Sequence, residues 1–314
     1  MVNEINACTS QFIAVIGGPG VGKSVICRKV TELNENVVFA RVERFLEIRE
    51  IDSIWGFNIE ETFKRLGNKK LIIFIDALEF ISDNLKKTKI LHELYSKVKN
   101  YGNVKLIVSC RTSDFNSFRR IIEFFDIKIF EVSEIDNREI SKISEQFPVI
   151  ASMNSLGKYK ELLKTPLYID IIVKQAENID KIENESQLRD YIWSNIITLR
   201  GKTQRYNLKH NNVVEVIEKI VFDRAKRFLL GSNIKQYDSK IVDALLSENV
   251  IIKNRETIRL KLDLFEDIVF ERFFDEKFEE CKGDFNLFFK NIGEMGRSGF
   301  RRYQIWVSNK LLVK

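Results

Sequence analysis

The chain of 314 residues is 44% hydrophobic, with 24 Phe, and carries a net charge of +6. That apolar content excludes a largely disordered chain, and the length suits two or three compact units. Three Pro and 14 Gly point to helix-rich units joined by short connections.

The opening MVNEINACTSQ lacks the basic flank and apolar run of a signal peptide. No stretch reaches the roughly 18 apolar residues of a membrane span, so no membrane partner is expected. Cys8, Cys27, Cys110 and Cys281 lie far apart without C-x-x-C spacing, and Cys27 and Cys110 read as buried small hydrophobes. With His92 and His210 the only histidines, a zinc site is not expected. These features predict a reducing cytoplasm.

Residues 12–16 (FIAVI) form an apolar run that ends at Gly17-Gly18-Pro19-Gly20, a buried strand meeting a tight turn. A helical pattern follows over 23–33. Four more strand-like runs lie at 37–42, 71–75, 104–110 and 127–132, separated mostly by predicted helices at 58–66, 85–100 and 115–125. Continuous apolar strands alternating with helices predict a parallel sheet covered on both faces. Residues 136–147, 155–163, 167–176 and 186–199 then read as helices, with Pro148 and Pro166 as breaks. A helix over 210–229, another at 238–247, two short strands at 250–253 and 257–262 around Asn254-Arg255-Glu256, and a helix over 264–278 suggest a winged helix-turn-helix. The fold class is therefore α/β: a P-loop parallel-sheet core over 1–134, a helical domain over 135–205, a winged-helix domain over 206–280 and a basic helical extension over 281–314. Of the net charge, +5 falls in 282–314. That end reads either as a solvated helix surface or as a face for nucleic acid or an acidic partner.

Gly17-Gly18-Pro19-Gly20-Val21-Gly22-Lys23-Ser24 matches G-x-x-x-x-G-K-[ST] at every required position. Glycines let the backbone curl around phosphates where a Cβ would block approach. Main-chain N–H groups and the following helix N-terminus then face the anion. Lys23 is expected to meet the β- and γ-phosphates and Ser24 to ligate magnesium. Val25, next on the helix, is counted with the binding set.

Leu71–Ile75 ends in Asp76, whose carboxylate at a strand end faces the crevice where ligands sit in such sheets. Asp76 is expected to hold the metal's water shell opposite Ser24. Glu79, three residues on, is the candidate to polarise an attacking water; a plain helix start is the alternative. The run from Lys105 ends in Ser109-Cys110-Arg111. Arg111 either reaches a γ-phosphate or pairs with an acid such as Asp114. Pro166 by itself marks only a helix start.

In order, GGPGVGKS, LIIFIDALEF, KLIVSCR and KTPLYIDI, followed by the expected winged unit, resemble the STAND branch of AAA+-related ATPases. NACHT-type and bacterial antiviral members are the nearest look-alikes, and the resemblance covers about residues 11–280. It implies an ATP-driven switch, closed with ADP and assembled with ATP, with Pro166 packed near adenine and Arg111 on the γ-phosphate. Three departures stand out. Family members usually end the second motif with two consecutive acids, but Glu79 is followed by Phe80, which predicts slow hydrolysis. The histidine that many members place in the winged unit falls on Leu262. Such proteins normally carry an effector domain before the P-loop and a repeat sensor after the winged unit; with about ten residues before the first strand and the sequence ending at Lys314, the chain is expected to be a fragment or to work with a separate effector or sensor protein.

The expected ligands are ATP or ADP with Mg2+; ATP over GTP rests on the resemblance and on the lack of an N-K-x-D segment. Three functions fit these residues. The first is a STAND-type switch that self-associates on ATP binding, in antiviral defence. The second is an AAA+ ATPase handling nucleic acid through its winged helix, with Arg119 and Arg120 either forming an arginine finger or ending a solvated helix. A small-molecule kinase is the third, although no substrate pocket is evident in the helical units.

Overall fold

The computed structural model describes residues 1–41, 50–78, 85–112, 114–115, 126–157, 159–174, 182–226, 231–293 and 296–312. Val42, Glu79, Phe80 and most of 115–125, with Arg119 and Arg120, lie outside the described residues. The chain divides into two compact units, Met1–Lys181 and Ile182–Lys314.

In the first unit the apolar runs become β1 (Phe12–Gly17), β2 (Val37–Arg41), β3 (Leu71–Asp76), β4 (Val104–Arg111) and β5 (Ile127–Val132). They pair in parallel in the order β2-β3-β4-β1-β5. Every residue of β1 and β3 is buried, as expected of strands covered on both faces. Alternation along the strands builds two cores. Phe12, Ala14, Ile16, Ile73, Ile75, Leu106 and Val108 pack with Ile59 and Phe63 of α3 (Ile59–Leu66) and Leu91 and Leu94 of α4 (Leu85–Lys99). Ile13, Val15, Ile72, Phe74 and Ile107 pack with Cys27 and Val30 of α2 (Lys23–Glu32) and Ile5 of α1 (Val2–Ala7).

Helix α1 has no counterpart among the predicted elements. Its six residues bury one side chain, Ile5, and Asn6 Oδ1 accepts from Asn34 Nδ2 (3.1 Å) and Lys70 Nζ (2.9 Å). These long-range contacts, not a local period, hold it.

Past the sheet come α5 (Asn137–Gln146), α6 (Pro148–Ser155), α7 (Lys160–Leu163) and α8 (Pro166–Lys174). The continuous helix expected over 155–163 does not form. Pro148 opens α6 instead of breaking the chain, since a first-turn proline forfeits no intrahelical bond. Gly157, at φ +69, turns the chain before α7.

The second unit contains α9 (Glu185–Tyr191), a π-helical turn over Ile192–Ile197, and α10 (His210–Lys226). Strand β6 (Ser232–Asn233), α11 (Ser239–Ser247) and the antiparallel pair β7 (Ile251–Asn254) and β8 (Thr257–Leu260) follow, with sheet order β6-β8-β7. Then come α12 (Asp263–Glu280), α13 (Phe285–Gly293) and α14 (Gly296–Leu312). An aromatic cluster joins these last helices: Trp306 meets Phe274 at 5.8 Å and Phe278 at 5.7 Å between ring centroids, and Tyr303 meets Phe288 at 5.8 Å. Among the described residues no helix is long and apolar enough to cross a membrane.

Inside this unit Arg224 of α10 pairs with Glu266 of α12, both side chains 2% exposed. Arg302 of α14 donates to the second Glu266 oxygen at 3.1 Å and lies over the Phe270 ring, 4.6 Å from its centroid. One carboxylate thus joins three helices. Truncating Glu266 leaves the buried Arg224 guanidinium without this carboxylate and Arg302 with Asp267 at 3.4 Å, a loss of about 3–5 kcal/mol for a buried pair. Glu266→Ala is expected to lower the unfolding free energy by that amount in urea titrations. A loss below about 1 kcal/mol, the value of an exposed pair, contradicts this account of the core.

Candidate functional site

β1 is the strand at which the order reverses, because its neighbours β4 and β5 are not consecutive with it in the chain. Crevices at such a switch point, beyond the strands' C-terminal ends, are where open α/β sheets take ligands. The loop Gly18–Gly22 leaves β1 there and enters α2.

Backbone geometry accounts for the glycines. A Cβ on Gly17 would sit 2.7 Å from the Val132 carbonyl oxygen, so the strand end must be bare. Gly22 caps α2 at φ +100 with nothing within 4 Å of its absent Cβ, leaving open space above the turn. The first amides of α2 have no intrahelical acceptor by construction and give that space a positive field. Lys23 Nζ donates to the carbonyls of Gly17 (3.0 Å) and Gly18 (2.7 Å), which keep the ammonium against the loop.

Ser24 begins the helix side of the site. Its Oγ donates to Asp76 at 2.9 Å from Oδ1 and 3.2 Å from Oδ2. Asp76, 8% exposed, ends β3, two strands away from β1. Its Oδ1 also accepts from Ser109 of β4, while Ser109 Oγ accepts the Ala77 amide at 2.8 Å. Ala77 sits at φ +63, a left-handed conformation that a non-glycine residue adopts only where its surroundings hold it. Burial pushes the Cys27 thiol well up from its usual range, and the nearby Asp76 charge adds to the effect, against Lys23. Cys27 is thus an inert packing group beneath the loop.

The chemistry of this donor set fits a hard cation. A hydroxyl and a carboxylate already converge within hydrogen-bond distance beside an ammonium, and Mg2+ takes one or two such oxygens while keeping waters. The residues present would hold the ion through Ser24 and Asp76; bound there, it would neutralise phosphate charge.

Arg111 ends β4 in register with Gly17, so its backbone stands at the loop's edge. Pro166 opens α8, whose Leu167 amide donates to the Gly20 carbonyl at 3.2 Å. The structure therefore brings together Gly17 to Ser24, Asp76, Arg111 and the Pro166 segment. Val25 faces away, 63% exposed on α2, and Glu79 lies outside the described residues. Ser109 joins this set through Asp76, although in sequence it shows only as part of a polar strand end.

Gly20 gives the sharpest local test. At φ +76 its Cβ would meet Thr165 Cγ2 at 3.0 Å and Leu167 Cβ at 3.1 Å, whereas a Cβ on Gly18 meets only Val21 Cγ1 at 3.5 Å. Gly20→Ala is expected to cost more than the roughly 1–2 kcal/mol of left-handed strain alone. Gly18→Ala should cost clearly less. Equal melting temperatures for the two variants would contradict the packing of this loop on α8.

The family described as "ATPase family associated with various cellular activities (AAA)" matches residues 13–174. None of the curated proteins matches the chain. Among solved structures, a Walker-type ATPase of Pyrococcus abyssi, PABY2304, is 11% identical and superposes over 85% of this chain and 93% of its own, with a TM-score of 0.47. AMPPCP-bound DnaA from Aquifex aeolicus is 14% identical over 78% of this chain and 84% of its own, at 0.43. The Aeropyrum pernix ORC1 protein in complex with DNA is 11% identical over 83% and 86%, at 0.40.

Proposed function

The chain belongs to the AAA family of ATPases, and from that premise we propose that it is a STAND-type switch, driven by ATP bound with Mg2+ between Gly17–Ser24 and Asp76. The observation that carries this reading is the Ser24–Asp76 contact, with the Lys23 ammonium held against the same loop. Lys23 leaves its loop carbonyls for the β- and γ-phosphates, a trade of neutral for charged acceptors that strengthens each bond. Arg111 contacts the γ-phosphate, Glu79 polarises the attacking water, and Pro166 packs near adenine. With Phe80 after Glu79, turnover is slow, so the nucleotide acts chiefly as a state marker.

The coupling path supports a switch. The Gly20 carbonyl accepts from the first turn of α8, so a loop that rearranges around phosphate pulls on the helical segment directly. Self-association with ATP, a separate effector or sensor protein, and a part in bacterial antiviral defence complete this proposal. The proposed domain division is P-loop core 1–134, helical domain 135–205, winged-helix domain 206–280 and extension 281–314, whereas the boundary between the two compact units falls at Lys181/Ile182, inside the helical span. Support for the winged helix is the succession α10, β6, α11, β7, β8 with sheet order β6-β8-β7.

The alternative is an AAA+ ATPase whose winged helix reads DNA, and the β7–β8 hairpin supports it: Lys253, Arg255 and Lys261 are exposed there against Glu256. On α11 itself the exposed Lys240 and Asp243 offset one another, so the surplus of cations that phosphate binding needs lies in the hairpin alone. Two cations of the basic C-terminal end are engaged within the chain: Arg302 with Glu266 and Asp267, and Lys310 with Asp275 at 2.8 Å.

Fluorescent ATP titrations test the site. Lys23→Ala is expected to lose about 2–5 kcal/mol of binding, the cost of truncating one partner of a charge-assisted contact. Size-exclusion profiles with ATP and with ADP test the switch, and a difference in assembly or shape is expected. Identical profiles contradict it, and duplex binding with a steep salt dependence moves the conclusion to the nucleic-acid reading.

A further inference from the structure

We propose that Ser109 is a positioning residue of the nucleotide site, fixing the Asp76 carboxylate so that one of its oxygens stays aimed at the magnesium shell. The proposal rests on the ATP–Mg2+ reading above and adds a residue outside the loop and the two strand-end charges.

Ser109 is 1% exposed. It lies on β4, the strand between the loop-bearing β1 and the aspartate-bearing β3, in register with Val15. A hydroxyl has one proton to give and two lone pairs with which to accept. The Ala77 amide donates into Ser109 Oγ at 2.8 Å, and that bond orients the hydroxyl. Its single proton then goes to Asp76 Oδ1. The serine therefore cannot exchange roles with the carboxylate as a freely rotating hydroxyl would.

Ser24 grips the same carboxylate from the helix side. It can keep donating its proton to Asp76 while turning a lone pair toward a cation. Asp76 is thus held between two hydroxyls, one that faces the ion and one that belongs to the sheet. Only the sheet-side grip is independent of the loop, so it persists while the loop rearranges around phosphate. The amide that orients Ser109 comes from the residue directly after Asp76, at φ +63, so this bond also secures the turn on which the aspartate ends. Partners standing behind metal ligands in this way are commonly worth about 10–100-fold in metal affinity.

The test is the magnesium concentration at which tight ATP binding appears, measured by fluorescent-ATP titration across Mg2+ and, separately, in EDTA. For Ser109→Ala the magnesium midpoint is expected to rise about 10–100-fold, with affinity in EDTA unchanged. Ser109→Thr, which keeps the hydroxyl, is expected to restore the midpoint. Ser109→Cys keeps the volume with a weak donor and should behave like alanine; it also serves if the alanine variant fails to fold. A midpoint equal to wild type in the alanine or cysteine variant overturns the proposal. So does a loss of equal size in EDTA and in Mg2+, which marks a packing role. A wild type that binds ATP equally with and without Mg2+ defeats the magnesium reading itself, whereas a normal wild type with insensitive variants defeats the assignment of Ser109 alone.

Discussion

For Ser24 to donate to Asp76, the loop and the start of α2 have to cross the end of a whole strand, because β4 lies between the strand that carries the loop and the strand that carries the aspartate. That crossing sets what the rest of the first unit must do. The first turn of α2 has to lean over the end of β4, so the loop before it must bend sharply, and Gly20 and Gly22 take φ of +76 and +100 to do so. β4 must end in side chains that fit beneath the bridge. Ser109 is small enough to lie under it and polar enough to join it, and Arg111 comes only where the strand reaches the loop's edge at Gly17.

The buried cores keep this arrangement rigid. Both faces of β1 and β3 are covered, and the residues under the loop, Cys27 and Val30, belong to the same cluster as Val15 and Phe74. A close-packed interior resists small displacements, so the carboxylate and hydroxyl meet at hydrogen-bond distance before any ligand is considered. The polar groups around Asp76 are satisfied pairwise: Ala77 donates to Ser109, and Ser109 and Ser24 donate to Asp76. A carboxyl group with 8% exposure needs such donors, since burying a polar group without partners is costly.

Much of the site was legible because its signals are local. The loop is eight consecutive residues, and Asp76 closes an uninterrupted apolar run. What escaped notice depends on contacts far apart in sequence. Ser109 looks like any strand-end hydroxyl until Asp76, 33 residues earlier, is placed beside it. Helix α1 is too short to show a period and is held by Asn34 and Lys70. At Pro148 the sequence offers two readings, a break or a first-turn proline, and the start of α6 there depends on Ile150 and Met153 being buried, which no local signal shows. In the second unit the Arg224–Glu266 pair, 42 residues apart, reads in sequence as two ordinary surface charges. Its partner Arg302 sits in the run that the charge count alone offered to an external acidic surface.

A structure of the chain with Mg2+ and ADP tests the central claim most directly. The account places the β-phosphate in the open space above Gly22, bonded to the first amides of α2, with Lys23 Nζ moved onto it from the Gly17 and Gly18 carbonyls and the ion between Ser24 and Asp76. Nucleotide bound elsewhere, with Lys23 still closed on its own loop and Asp76 turned from the ion, would contradict it.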